Sequence, residues 1–133
     1  MTAIPKHRSI PFFGRLLILI GALCLSAACE PEFKRVDVKL LSDPPMDFDV
    51  DNDFIEIDDG MGIMVKLKPK SKNSVDYDSK DRIEGASSDD DIFLVLNGAK
   101  HGELGIVGIS SGIAALRVKI DGVHETDIKV KVR

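Results

Sequence analysis

The chain is poor in aromatic side chains and in cysteine, and each shortage excludes a class of function. Its 133 residues contain no tryptophan, one tyrosine and six phenylalanines. Sites that hold sugar rings or single-stranded nucleic acids stack them on such side chains, so the shortage argues against both kinds of site. The two cysteines, Cys24 and Cys29, do not form a Cys-x-x-Cys pair. Thiolate metal centres and dithiol redox centres are therefore excluded.

Long apolar runs are also missing. The most apolar segment, residues 16–28, has 13 residues and follows the basic residues Lys6, Arg8 and Arg15. A helix needs about 20 apolar residues to span a bilayer, and an extension toward the N-terminus would bury Arg15 in lipid. Basic residues, a short apolar run and small residues, in that order, are typical of a secretory signal peptide.

The end of this segment carries a lipidation motif. Ser26-Ala27-Ala28-Cys29 resembles the lipobox of bacterial lipoproteins, although the leucine, Leu25, lies one place earlier than usual. The resemblance implies that residues 1–28 are a signal peptide and that Cys29 receives diacylglycerol and palmitate. Glu30, in place of Asp, then favours the outer membrane over the inner membrane, by the sorting rule of enterobacterial lipoproteins. A cleaved soluble form and an uncleaved membrane anchor are the alternatives.

The part of the chain after Cys29 is acidic and contains no further cysteine. It has 15 basic and 22 acidic residues, a net charge of −7, which argues against a nucleic-acid partner. With Cys24 removed and Cys29 acylated, no disulfide can form, so an apolar core must hold the domain together. We place a single domain at residues 36–133, after the lipidated cysteine and a linker at residues 29–35.

This domain is predicted to be all-β. Apolar and polar residues alternate with a period of two, which is typical of strands with one buried face. The alternating runs lie at residues 36–40, 46–50, 55–57, 63–67, 114–120 and 128–132. Residues 92–96 are continuously apolar, which predicts a more central strand, and Asp121-Gly122 predicts a hairpin turn. About seven short strands predict an antiparallel β-sandwich, with a small β-barrel as the alternative.

One stretch resembles a known domain family. The sequence from Ile106 to Val118, in which Gly108 and Gly112 are four residues apart, is similar to the signature of group 2 bacterial immunoglobulin-like domains. Gly85 stands where that family has a core tryptophan, which leaves another immunoglobulin-like branch open. The resemblance implies an immunoglobulin-like sandwich that serves as a binding or structural module in adhesins and envelope proteins. The two glycines are predicted to relieve backbone strain at a tight turn.

Several acidic residues suggest a calcium site. Hard cations bind several carboxylate oxygens, and the candidates for a loop-capping site are Asp58, Asp59, Asp89, Asp90 and Asp91. The alternative is a solvated acidic surface. Asp49, Asp51 and Asp53 imitate the start of an EF-hand loop, but Phe54 occupies its glycine position, so that motif fails.

A basic face is predicted on the last two strands. Its candidate residues are Arg117, Lys119, Lys129 and Lys131, followed by Arg133. A second basic row runs from Lys66 to Lys72 at every other residue. Such faces would contact anionic lipid headgroups or envelope polymers, helped by the short tether. The alternative is that they keep the protein soluble and protect sheet edges.

No residues point to catalysis. His101 and His124 have no second ligand or nucleophile at a suggestive spacing, and the sequence lacks a nucleophile-elbow pattern. We therefore expect a non-enzymatic lipoprotein of the cell envelope, anchored by its lipid and without another cofactor. Its domain is expected to bind an envelope protein or polymer, for adhesion or to support a complex. The alternatives are a periplasmic assembly factor or inhibitor, and a calcium-dependent binding module.

Overall fold

The computed structural model describes residues 30–43 and 48–133, and all of their regular structure is β-strand. These residues form nine strands: β1 Phe33–Leu40, β2 Phe48–Val50, β3 Phe54–Ile57, β4 Gly62–Ser71, β5 Ile83–Ser87, β6 Phe93–Asn97, β7 Glu103–Gly108, β8 Gly112–Ile120 and β9 Val123–Val132. The unit Pro31–Arg133 is compact. Over the described residues, no helix has the length and apolar character needed to cross a membrane.

The strands form two sheets that share one core. The four-stranded sheet has the order β1-β4-β7-β6, and the five-stranded sheet has the order β2-β3-β9-β8-β5. All pairs are antiparallel except the parallel pair β3–β9. The predicted all-β sandwich is therefore confirmed, with two strands more than expected. The alternating runs omit β5 and β7, because Gly85 and Gly105 interrupt their apolar pattern.

Alternate side chains of each strand fill the core. In β4, for example, Ile63, Val65 and Leu67 are buried while the residues between them are not. The buried hydrophobic set is aliphatic apart from Met61 and Phe93, and within the described residues it includes no polar or charged side chain. Each buried aliphatic side chain stabilises the fold by about 1.5–3 kcal/mol before chain entropy is subtracted.

The prediction of a central strand at residues 92–96 is wrong. Strand β6 lies at the edge of the four-stranded sheet. Its run is continuously apolar because Phe93 and Val95 pack inward whereas Leu94 and Leu96 are exposed on the other side, Leu96 by 62%. An apolar residue at every position thus marks here a strand with two apolar faces, only one of which is covered.

The turn predictions had mixed outcomes. The hairpin at Asp121-Gly122 is confirmed: it joins β8 to β9, and both residues have positive φ, 50° and 82°, as this type of turn requires. Gly108 and Gly112 do not have positive φ. A Cβ at Gly108 would lie 2.7 Å from the Asp58 carbonyl oxygen, and one at Gly112 would lie 2.9 Å from Ile92 Cδ1. Close packing, and not backbone strain, explains these two glycines.

Two asparagines connect the sheets along the flanks of the sandwich. On the β5–β6 flank, Asn97 Oδ1 accepts a hydrogen bond from the Gly85 N–H at 2.9 Å, and Asn97 Nδ2 donates one to the Gly85 carbonyl at 3.2 Å. On the β1–β2 flank, Asn52 Oδ1 accepts one from the Val38 N–H at 2.9 Å. Each side chain satisfies backbone groups that an edge strand would otherwise leave unpaired.

The domain begins three residues before the predicted boundary at Val36. Strand β1 starts at Phe33, and the Lys72 N–H donates to the Glu32 carbonyl at 2.8 Å. An irregularity in the β1–β4 register between Phe33 and Arg35 breaks the alternation there, which is why the pattern placed these residues in the linker. The connection from residue 30 to β1 is therefore only residues 30–32.

Candidate interaction surface

The outer face of the four-stranded sheet carries a group of exposed apolar side chains, which we call the apolar platform. Its exposed members are Leu41, Met64, Leu94 and Leu96, and the half-buried Val107 lies among them. Those in strands point away from the core, because each alternates along its strand with residues that are buried or packed against the core. Met64, for example, lies between Ile63 and Val65 and is 44% exposed.

The strand register aligns the platform into two rows across the sheet. The first row runs from Leu41, the residue after β1, across β4, β7 and β6: the Leu41 N–H donates to the Met64 carbonyl, and Gly105 of β7 pairs with both Met64 and Leu96. The second row has Val107 of β7 between Gly62 of β4 and Leu94 of β6. Directly paired residues have Cβ atoms about 4.5–5.5 Å apart, so the side chains form one continuous surface.

Two glycines make a depression in the platform. Gly62 and Gly105 have no side chains to fill the spaces beside Met64, Leu96 and Val107, and a groove of about 320 Å³ lies over them. Ser42 lies at its rim, where its hydroxyl accepts a hydrogen bond from the Met64 N–H at 2.8 Å. The groove lining is almost wholly apolar, so it suits another apolar side chain better than a polar ligand.

A charged row borders the platform on the side nearer the start of β1. Lys66 of β4 pairs with Lys39 of β1 on one side and with Glu103 of β7 on the other. In the part of the chain that the structure describes, neither Lys66 nor Glu103 forms a salt bridge. These charges are available to an outside partner.

The outer face of the five-stranded sheet contains the predicted basic residues, but carboxylates are interspersed among them. Glu56 of β3 binds Lys131 at 3.0 Å and Arg133 at 3.1 Å. In the strand register Arg117 pairs with Asp127, and Lys119 pairs with Glu84 of β5. Lys129 Nζ lies 5.8 Å from the centre of the Phe54 ring, within reach of a cation–π contact. The face is a mixed-charge surface rather than a basic one.

The calcium candidates lie in two turns at one end of the sandwich. Asp58 and Asp59 follow β3, where Arg133 binds the Asp58 carboxylate at 3.1 Å. Residues 89–91 connect β5 to β6, and Asp89 Oδ1 accepts a hydrogen bond from the Asp91 N–H at 3.1 Å. The described residues include no group of three or more His, Cys, Asp or Glu side chains suited to a metal ion. The calcium site stays a prediction without a preformed ligand cluster.

The two histidines of the domain are held by local contacts. His101 Nε2 lies 2.6 Å from the Asp81 carbonyl oxygen, and His124 Nε2 lies 2.8 Å from Asp127 Oδ1. His101 borders an open, polar depression of about 550 Å³ between residues 79–84 and 97–102. Nearby, burial and then the charge of Glu125 raise the pKa of the Tyr77 phenol, so it stays a neutral hydroxyl at neutral pH.

The predicted lipidation site, Cys29, lies outside the described residues. The apolar platform, by contrast, is described but was not predicted. The continuous run at residues 92–96 held the signal for it, because strict alternation would have made Leu94 and Leu96 polar. Val107, between the core residue Ile106 and Gly108, is a second such departure. Apolar residues out of phase with the core pattern therefore indicate an exposed apolar face.

Comparison with known proteins identifies the fold but not a family. No protein-family profile and no curated protein sequence matches this chain. Among solved structures, S-layer protein SbsC domains 5–6 are similar, with 14% identity and a TM-score of 0.54, over 78% of this chain and 45% of that one. The crystal structure of the S-layer protein rSbsC(31-844) gives 14% identity and a TM-score of 0.53, over 78% of this chain and 13% of that one. This chain spans less than half the length of these structures, and a likeness at this identity shows a shared fold.

Proposed function

We propose that this chain is a non-enzymatic lipoprotein of the cell envelope whose sandwich contacts another protein through the apolar platform. The observation that carries the proposal is the exposure of Met64, Leu94 and Leu96 side by side on a sheet whose inner face is already covered by the core. A single exposed leucine is ordinary, but a contiguous apolar group on one face is typical of a protein contact surface.

The proposed anchor places this surface close to a membrane. If Cys29 is acylated, three residues lie between it and Phe33, where β1 begins, so Phe33 is four residues further along the chain. Four residues span at most about 14 Å, so the sandwich stays next to the bilayer. A partner of the platform is then another component held at or near the same membrane, and Glu30 favours the outer membrane for both.

The proposed role is structural or adhesive support of an envelope assembly. The likeness of the fold to domains of an S-layer protein supports a module of the cell surface. The resemblance of Ile106–Val118 to group 2 bacterial immunoglobulin-like domains supports the same role, and membership of that family is part of the proposal. In the structure this stretch forms the end of β7, a turn and the first part of β8.

The anchor is tested by metabolic labelling with palmitate. We expect the full chain to incorporate label and to fractionate with membranes, whereas Cys29→Ser, which lacks the thiol proposed to be acylated, incorporates none. Cys24→Ser is the matched control and should be labelled like the parent chain. Label that persists in Cys29→Ser and is lost in Cys24→Ser contradicts the proposed anchor, and so does a parent chain that incorporates no label.

The contact surface is tested by photo-crosslinking in intact cells. A photoreactive amino acid at Leu96, on the platform, should give a defined protein adduct. The same residue at Ile113, which is 58% exposed on the outer face of the five-stranded sheet, is the matched control and should give none. Equal adducts from both positions, or none from Leu96, would refute the platform as the contact surface.

A further inference from the structure

Gly62 and Gly105 have no evident purpose inside the chain. Both lie in strands and neither has positive φ. A Cβ at Gly62 would come no closer than 3.8 Å to another atom, and one at Gly105 no closer than 3.5 Å, which are ordinary contacts. Glycine inside a strand is destabilising by roughly 0.5–1 kcal/mol relative to alanine. The empty spaces above these glycines therefore point to a requirement outside the monomer.

The arrangement of the platform is self-complementary. The row Met64–Gly105 and the row Gly62–Val107 each place one large side chain beside one glycine, on the central strands β4 and β7. Consider a two-fold axis parallel to the strands, midway between β4 and β7, relating two copies whose outer faces meet. This axis keeps each row at the same height and exchanges the two strands. Met64 of one copy then faces Gly105 of the other, and Val107 faces Gly62.

We infer that two copies of this chain pair face to face through the apolar platform, about this two-fold axis. The inference deepens the proposed function, because it identifies the partner of the platform as a second copy of the same chain. Facing sheets pack about 10 Å apart with their strands within about 30° of each other. The large side chains of each copy fill the glycine spaces of the other.

The charged row supports the same pairing. The axis places Lys66 of each copy opposite Glu103 of the other, so two intermolecular ion pairs border the apolar contact. In the parent chain these two residues are in register on neighbouring strands, yet they form no salt bridge with each other among the described residues. A two-fold contact repeats every interaction twice, and opposite charges across it fix the register of the pair.

The symmetry also suits two chains anchored in one membrane. An axis parallel to the strands leaves the β1 starts of both copies at the same end of the pair. With the proposed lipid four residues before Phe33, both anchors enter the same bilayer. Confinement to one membrane raises the local concentration of the copies, which favours a contact of modest size.

The test uses charge exchange between two differently tagged forms of the full chain, expressed together and recovered from membranes through one tag. Two parent chains should co-purify. When both copies carry Lys66→Glu, or both carry Glu103→Lys, like charges meet twice across the axis, and recovery of the second tag should fall by about tenfold. A Lys66→Glu chain together with a Glu103→Lys chain restores two opposite-charge pairs, so recovery should return to near the parent level.

The Lys66→Glu chain together with the Glu103→Lys chain, the mixed pair, separates pairing between copies from effects within one chain. Each substitution should lower co-purification when both copies carry it, so recovery restored in the mixed pair can come only from contacts between the two copies. Lys119→Glu, the same change on the five-stranded sheet, should leave recovery unchanged. Gly105→Ala, which the monomer accommodates, should lower recovery because its methyl group occupies the space for Met64 of the other copy. Absence of co-purification of parent chains, or a mixed pair no better than its components, overturns the inference.

These outcomes are distinct from failure of the proposed function. A Leu96 adduct to a different protein, without co-purification of two copies, would retain the contact surface and reject self-pairing. Loss of palmitate labelling with co-purification intact would reject the anchor and retain the pair.

Discussion

The two sheets of this sandwich have similar inner faces and very different outer faces. Both contribute aliphatic side chains to one core. Outside, the four-stranded sheet exposes Met64, Leu94 and Leu96 on either side of β7, whereas the five-stranded sheet exposes Ile113 among lysines, arginines and carboxylates such as Glu56 and Asp127. The inner faces are under one requirement, close packing. The outer faces are free to differ. That of the five-stranded sheet suits contact with water, and that of the four-stranded sheet suits contact with a partner.

The comparison predicts that substitutions act through the layer in which they lie. Changes between the sheets should affect stability strongly, changes in the mixed-charge face should affect it moderately, and changes in the platform should affect association while leaving stability almost unaltered. Four sets of substitutions test this order, including one set on the flanks between the sheets.

The largest effect is expected in the shared interior. Gly85→Ala places a Cβ 2.6 Å from Leu104 Cδ1 and 3.0 Å from Leu116 Cδ1, and overpacking of this kind costs about 1–3 kcal/mol. Urea denaturation should show the loss as a lower midpoint. Gly105→Ala is the matched control on the outer face and should be neutral or slightly stabilising in the dilute protein. Equal losses from both would contradict the separation of the layers.

The next effect concerns the flanks. Asn97→Ala removes two hydrogen bonds to Gly85, and the unsatisfied, partly buried backbone groups should cost about 1–3 kcal/mol. Asn52→Ala removes one hydrogen bond, from the Val38 N–H at an exposed edge, and should cost about 1 kcal/mol or less. Thermal denaturation should give a lower midpoint for Asn97→Ala than for Asn52→Ala. A lower midpoint for Asn52→Ala would show instead that the β1–β2 flank holds the sheets together more strongly.

A smaller effect is expected on the mixed-charge face. Glu56→Gln removes the ion pairs to Lys131 and Arg133, and since the Glu56 side chain is only 19% exposed, the loss should be about 1 kcal/mol. Addition of salt should narrow the difference in the free energy of unfolding between the variant and the parent chain, because salt screens the ion pairs that only the parent chain has. A difference that does not respond to salt would assign the effect to packing of the Glu56 side chain.

The smallest effect on stability is expected on the platform. Leu96→Ser changes a side chain that is 62% exposed, so the free energy of unfolding of the dilute protein should change by at most about 0.5 kcal/mol. The same variant should weaken the co-purification of two copies. A loss of stability comparable with that of Gly85→Ala would mean that the platform serves the fold and not a contact.

The sequence predicted the elements whose pattern is local. Alternation identified the strands with one polar face, and Asp121-Gly122 identified its hairpin because the turn depends on two residues alone. It did not predict the parallel β3–β9 pair, since strand order depends on contacts between residues far apart in the chain. It misplaced β6 because an exposed apolar face and a buried one look alike in sequence.

The site was harder to predict than the fold for the same reason. Lys119 and Arg117 suggested a basic face because their carboxylate neighbours come from other strands, Glu84 of β5 and Asp127 of β9 respectively. The platform combines residues of three strands with Leu41, which follows β1, and its rows exist only once the register is known. No local pattern contains that information.

The position of β9 has a consequence for the order of folding. This strand is the ninth in chain order, yet it lies in the middle of the five-stranded sheet, between β3 and β8. The earlier strands of that sheet have no centre to assemble on until residues 123–132 are synthesised. The five-stranded sheet can therefore be completed only after residues 123–132 are present, because β3 and β8 both pair with β9.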